Sequence, residues 1–366
     1  MMKRNVNKGK TLLVDGPASV TLLSGEVEVL GGSFAVGKKV VIRDGKRLPF
    51  EVSEKAMFEL KLGENASFEE VDETTIPSSW ENASKEAVSH GKPVTVMVMG
   101  GVDSGKTSFC AYLANRSLKE KLKVAVIDGD LGQSDIGPPS TVGFSHVTKP
   151  IKDLFEMEVE NACFIGVTTP SLAVSKVIEE LTTLKDRALE TSVDFLIVNT
   201  DGWVEGEDAV KYKVQLAEKA APDIVVGIQR ADELILILTV LKETMRIVAI
   251  DSPVAIRKRS REKRKILREL GYKKYLKNAK VQLFHLSQVK IKDALSESLE
   301  SLTKEEMQEG LLVALQDAQL NFLGIGILHG IDFERGLVKV YTSVSENVST
   351  ILVGKVKLNE KGRELD

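Results

Sequence analysis

The chain has 366 residues, of which 43% are hydrophobic and 28% charged, with a formal net charge of −3. These values predict a soluble globular protein of two or three domains and exclude a disordered or fibrous one. So small a net charge also excludes nucleic-acid binding by the surface as a whole, leaving that role to a local basic patch.

In chain order, the first elements read as β. Apolar stretches at 11–14, 19–30, 38–42 and 56–62 are broken by Asp15-Gly16, Gly31-Gly32, Asp44-Gly45 and Gly63, which predicts a small sandwich or barrel over residues 1–90. Residues 72–92 predict a connector carrying one helix. From Pro93 the pattern becomes α/β, with near-continuous apolar strands at 94–99, 123–127, 162–167, 194–199, 223–228 and 246–250. Helical periodicity fills the gaps, most clearly at 106–119, 172–190 and 231–242. That alternation predicts a doubly wound parallel sheet covered on both faces, occupying 91–285. Beyond it, a helix at 304–317 and β-like runs at 321–328, 336–344 and 349–358 predict a small C-terminal β-rich domain over 286–366.

No apolar run approaches the roughly 18 residues of a membrane span, and no signal peptide is visible after Met1-Met2-Lys3-Arg4. Cys110 and Cys163 lie in apolar contexts without metal-ligand spacing, as buried thiols of a reducing cytoplasm do.

The chemistry starts between the first strand and first helix of the α/β region. Gly100-Gly101-Val102-Asp103-Ser104-Gly105-Lys106-Thr107 matches the Walker A pattern in full, and Ser108 continues it into the helix. Glycines let successive backbone N–H groups turn into one concavity, and the helix adds its positive dipole end. The pattern predicts ATP or another NTP as ligand, with Lys106 on the β- and γ-phosphates and the Thr107 hydroxyl on Mg²⁺. A P-loop alone leaves ATPase, GTPase, kinase and motor functions open.

Asp128 and Asp130, with Gln133 close by, follow the next strand. Carboxylates at that end of an open sheet can hold Mg²⁺ or accept a proton from an attacking hydroxyl; the plainer reading is turn capping. Asp201, after the strand at 194–199, is a competing metal carboxylate. Trp203 follows in Asp201-Gly202-Trp203-Val204-Glu205-Gly206, surroundings that build no core, so its ring is suited to stacking a nucleobase. Thr169 and Pro170 follow the strand at 162–167 and could line the same groove. Residues 257–280 carry twelve basic and two acidic side chains. A bias of one sign on that scale fits a lid closing over a phosphoryl group, or a track for a polynucleotide backbone, better than a solvated face.

These motifs together resemble the polynucleotide 5′-hydroxyl kinases associated with pre-mRNA 3′-end cleavage, tRNA splicing and ribosomal-RNA processing. The resemblance extends to Asp103–Thr107, to Asp130 with Gln133, and to Leu323-Gly324-Ile325-Gly326-Ile327 with Gly330-Ile331-Asp332 and Arg335-Gly336. It implies Mg²⁺-dependent phosphoryl transfer from ATP to the 5′-hydroxyl end of RNA, with DNA as an alternative acceptor. By the same resemblance Asp130 activates the hydroxyl, Thr169, Pro170 and Trp203 clasp the terminal nucleotide, and Arg259 and Arg264 are the lid arginines within the basic region 252–280. The compact length and Lys/Glu-rich composition point to a prokaryotic, archaeal member. The alternatives are a P-loop ATPase or GTPase, a small-molecule kinase, and a non-catalytic RNA-processing scaffold that binds ATP.

Overall fold

The computed structural model describes residues 1–296 and 308–365, and its strands form three sheets. The first contains β1 (Met2–Val6), β2 (Thr11–Asp15), β3 (Ala18–Val29), β4 (Gly32–Ser33), β5 (Lys39–Ile42), β6 (Arg47–Leu62) and β7 (Phe68–Val71). Its order is β4-β3-β6-β2-β7, with β1 on β6 and β5 on β3. Alternation sets its core: Val20, Leu22, Phe50, Val52, Phe58 and Leu60 are buried on one face of β3 and β6. Only the second half of β6 is legible as a strand, because Pro49 and the polar Ser53-Glu54-Lys55 interrupt the first. Gly25, at φ +98°, sits where β3 slips register on β6, and a Cβ there would lie 2.5 Å from the Ala56 Cα.

After α1 (Ser78–Val88), the second sheet comprises β8 (Val94–Gly100), β9 (Val124–Gly129), β10 (Thr141–Val147), β11 (Asn161–Phe164), β12 (Phe195–Thr200), β13 (Ile224–Gln229) and β14 (Arg246–Asp251). The order is β11-β10-β9-β12-β8-β13-β14. Between them run α2 (Lys106–Lys119), α3 (Val174–Glu190), α4 (Glu207–Ala220) and α5 (Ile235–Leu241). All seven residues of β8 are buried, which is why it reads as an unbroken apolar run. β12, β8, β13 and β14 pair in parallel. The expected parallel sheet is amended at one edge, where β10 and β11 pair antiparallel. β10 escapes sequence reading because Gly143, Ser145 and His146 dilute its apolar pattern.

Following α6 (Arg261–Tyr275), the third sheet holds β15 (Lys280–His285), β16 (Lys290–Asp293), β17 (Leu311–Gln316), β18 (Phe322–Asp332), β19 (Leu337–Thr342) and β20 (Thr350–Lys357), in the order β15-β19-β18-β17-β20-β16. The helix expected at 304–317 is a second correction: its described part contains β17, a strand between β18 and β20. The portion before residue 308 lies outside the described residues. Val313 and Leu315 join one apolar cluster, Leu312 and Ala314 another that includes Tyr272 and Leu276. Burial on both faces erases the period-2 signal and leaves a run that helix and strand explain equally.

By contacts the chain divides into two compact units. One is Met1–Val126, His146–Met157 and Ala188–Arg264; the other is Ile127–Ser145, Glu158–Arg187 and the chain from Lys265 onward.

Candidate active site

In the first unit, β8 delivers the chain at Gly100 and α2 takes it up at Lys106. Between them Asp103 (φ +56°) and Gly105 (φ +107°) adopt left-handed conformations that bend the loop back on itself. Gly100 is required by space, since a Cβ there would lie 2.7 Å from the Ile228 carbonyl oxygen, and Gly105 by its backbone conformation. The Ser104 hydroxyl is buried with no hydrogen-bond partner. An orphaned donor inside a phosphate loop is what a phosphate oxygen would satisfy. Lys106, 6% exposed, folds back so that its Nζ donates to the carbonyl oxygens of Gly100 (2.9 Å) and Gly101 (2.8 Å). Thr107 and Ser108 follow in the first turn of α2, half-buried.

The sequence-predicted lid arginines reach this loop. Arg259 Nε donates to Asp103 Oδ1 at 2.7 Å, and its backbone N–H to Oδ2 at 2.8 Å. Arg264 Nη1 donates to Asp103 Oδ2 at 3.1 Å. Arg257, at the start of the basic run, is not in this group; it pairs with Asp15 at 3.4 Å. The lid segment is tied to the first sheet as well, through Lys263 with Asp44 (2.6 Å) and Arg47 with the Ala255 carbonyl (3.3 Å).

At the end of β12 the Asp201 carboxylate is enclosed. Oδ2 accepts from Tyr212 Oη (2.7 Å) and Lys213 Nζ (2.8 Å), and Oδ1 from the Trp203 backbone N–H (2.9 Å). Lys213 is fully buried. These partners make Asp201 the pin of its turn. Trp203 is half-buried and stacks on Tyr212, with ring centroids 5.6 Å apart and planes at 25°. The turn presses on the P-loop: a Cβ on Gly202 would lie 2.9 Å from the Val102 backbone.

In the second unit, the buried Asp128 carboxylate accepts backbone N–H groups from Asp130 (3.3 Å), Asp135 (2.7 Å) and Ile136 (3.2 Å). Asp130, half-buried, accepts from the N–H groups of Gly132 (3.2 Å) and Gln133 (2.9 Å) through Oδ1. The Gln133 side chain donates to the Gly132 carbonyl at 2.6 Å. This turn lies against the strand end that leads to Thr169 and Pro170, since a Cβ on Gly132 would sit 3.0 Å from the Thr168 carbonyl oxygen. Thr169 is exposed and Pro170 buried. Tyr275 of α6 accepts the Gly137 N–H at 2.9 Å; burial pushes its hydroxyl up to about 12, so it stays protonated.

Sequence reading missed Tyr212, Lys213 and Arg230. Lys213 had a legible signal: it falls in the apolar stripe of α4 with Ala209, Leu216, Ala217 and Ala220, where a solvated lysine has no place. Arg230 follows the end of β13, and its Nη2 donates to the Asp103 carbonyl at 2.5 Å.

Comparison with known proteins bears on the whole arrangement. Residues 100–278 match the family described as mRNA cleavage and polyadenylation factor CLP1 P-loop. The chain carries a CLP1-type P-loop domain, which makes it a nucleotide-binding protein. Around that domain the similarity extends to archaeal proteins. The chain is 29% identical to a polyribonucleotide 5′-hydroxyl-kinase of Methanocaldococcus jannaschii, over 75% of this chain and 90% of that protein. It is 27% identical to one of Pyrococcus furiosus, over 79% and 95%. The fold is also that of a chain in the wild-type Clp1p–Pcf11p complex, at a TM-score of 0.77 and 13% identity over 97% of both chains. Both β sheets flanking the CLP1-type domain are thus part of the shared fold. No helix among the described residues is long and apolar enough to cross a membrane.

Proposed function

We propose that the protein phosphorylates the 5′-hydroxyl end of RNA, using ATP or another NTP with Mg²⁺. The observation that carries this reading is the convergence of Arg259 and Arg264 on a P-loop residue, beside a loop whose buried Ser104 hydroxyl lacks a partner. The names of the archaeal relatives supply the acceptor.

The γ-phosphoryl group of the nucleotide lies in the 100–107 cradle. As the RNA 5′-oxygen bonds to the γ-phosphorus, the bond from that phosphorus to the β,γ-bridging oxygen breaks and NDP departs. The hydroxyl proton passes to the Asp130 carboxylate. Lys106 leaves the Gly100 and Gly101 carbonyls for the phosphates, and Arg259 and Arg264 neutralise charge on the transferring oxygens. By the family resemblance Thr107, Asp128 and Asp130 would hold Mg²⁺, and each is a hard oxygen donor of the kind that ion takes. When bound, the ion neutralises phosphate charge. Asp128 acts mainly through the turn it organises around Asp130. Thr169, Pro170 and Trp203 clasp the terminal nucleotide, and DNA is the alternative acceptor. The buried thiols of Cys110 and Cys163 suit a cytoplasmic setting.

The test uses γ-labelled ATP with 5′-hydroxyl RNA, 5′-hydroxyl DNA and mononucleosides. Label should enter RNA with the native protein and not with Lys106→Ala. ATP hydrolysis without labelling of any acceptor would replace the kinase reading with an ATPase.

A further inference from the structure

Several polar contacts of the lid with the P-loop converge on the Asp103 side chain. The Asp103 side chain is 3% exposed. Oδ1 takes both Arg259 Nε and Arg259 Nη2 at 2.7 Å, while Oδ2 takes the Arg259 backbone N–H and Arg264 Nη1. The Asp103 carbonyl oxygen receives Arg230 Nη2, and Arg230 Nε donates to Ser252 Oγ at 3.2 Å, at the root of the lid. Arginines from two separate stretches of chain therefore meet at one residue of an anion-binding loop.

A carboxylate inside a phosphate cradle works against phosphate unless it is neutralised. Here two guanidinium groups more than neutralise it, and the cluster keeps a net positive charge. A guanidinium carries five N–H donors, so Asp103 can keep its hold on Arg259 while other donors of that fork meet a phosphoryl oxygen. Held in this way, the arginines need no search when the nucleotide arrives.

We propose that Asp103 is the positioning residue of the lid, seating Arg259 and Arg264 over the cradle before nucleotide binds. Its kinetic consequence rests on the kinase reading; the seating itself does not. A purely local role for Asp103 in shaping the loop makes a different forecast, namely weaker nucleotide binding.

Asp103→Asn separates the two. Asparagine keeps the size, tolerates the left-handed backbone and can still accept the Arg259 N–H, but it lacks the charge. In the nucleotide-free protein, trypsin should cut the lid after residues 257–264 several-fold faster in this variant than in the native chain. Arg259→Gln, which breaks the same contact from the lid side, should behave alike. With ATP and 5′-hydroxyl RNA, kcat should fall by about ten- to a hundredfold, the range expected for a lost charge-assisted bond, while the KM for ATP stays within about threefold. Added to Arg259→Ala and Arg264→Ala together, Asp103→Asn should slow the enzyme no further. Unchanged lid cleavage, a loss confined to the KM for ATP, or additive losses would each overturn the proposal. If the native protein labels no RNA, the kinase reading falls, and the cleavage comparison still decides whether Asp103 seats the lid.

Discussion

Two buried aspartates of the first unit, Asp103 and Asp201, are both paired with basic side chains, yet they are built for different tasks. Asp201 is matched to Lys213 and Tyr212 within a short stretch of chain, and Lys213 has no exposed surface. Asp103 is matched to arginines 156 and 161 residues away, whose side chains remain 22% and 27% exposed. A lysine sealed in beside its partner has no other anion to meet, so the Asp201 pair is fixed architecture. Arginines that keep a solvent-facing side can trade partners when a phosphate arrives, so the Asp103 cluster is suited to a cycle of binding and release. Burial of the cation thus distinguishes a fixed ion pair from one able to exchange partners.

The largest effect should come from breaking the fixed pair. Lys213→Met leaves the Asp201 carboxylate buried without its counter-charge, at a cost of about 3–5 kcal/mol in unfolding free energy. Denaturant unfolding checks this, and a loss under about 1 kcal/mol would mean that water reaches Asp201.

Next comes the exchangeable pair. Arg264→Ala should lower kcat for RNA phosphorylation by about ten- to a hundredfold, with unfolding free energy changed by less than about 1 kcal/mol. The reverse outcome, a destabilised but fully active variant, would erase the contrast between the two aspartates.

The contrast also explains what could be read in advance. The P-loop, β8 and α2 were legible because their pattern is local: an apolar strand, glycines at set spacing, then a helix that begins at Lys106 as expected. Arg259 and Arg264 were legible as a basic run, whereas their common partner was not, since spacing in sequence says nothing about a contact across more than 150 residues. Lys213 was hidden for another reason: lysines in helices are ordinarily solvated, and only its place in the α4 stripe gave it away. β17 failed through ambiguity, as a run buried on both faces has no period to read.

Trp203→Ala should raise the KM for 5′-hydroxyl RNA by about five- to a hundredfold, the worth of one base stack, and leave the KM for ATP nearly unchanged. Because Trp203 stacks on Tyr212, part of its ring serves the protein itself, and a modest fall in melting temperature should accompany the effect. Equal damage to both substrates would make it a packing residue only.

The smallest effect on RNA binding gives the sharpest test of how the fixed pair serves the proposed clasp. Tyr212→Phe removes the hydroxyl that donates to Asp201 Oδ2 but leaves the ring on which Trp203 stacks. Lys213 Nζ still reaches the same oxygen and the Trp203 N–H still reaches the other, so no buried charge is stranded. The expected cost in unfolding free energy is therefore at most that of one hydrogen bond to a charged group, about 1.5–3 kcal/mol, below that of Lys213→Met. If Asp201 acts by pinning the turn, and the ring of Tyr212 by backing Trp203, this variant should bind RNA like the native protein. Tyr212→Leu, which keeps an apolar body but removes the stack, should then raise the RNA KM toward that of Trp203→Ala. Matching RNA KM values for the two Tyr212 variants would show that the stack contributes nothing to the clasp, and would leave the Asp201 turn as architecture alone.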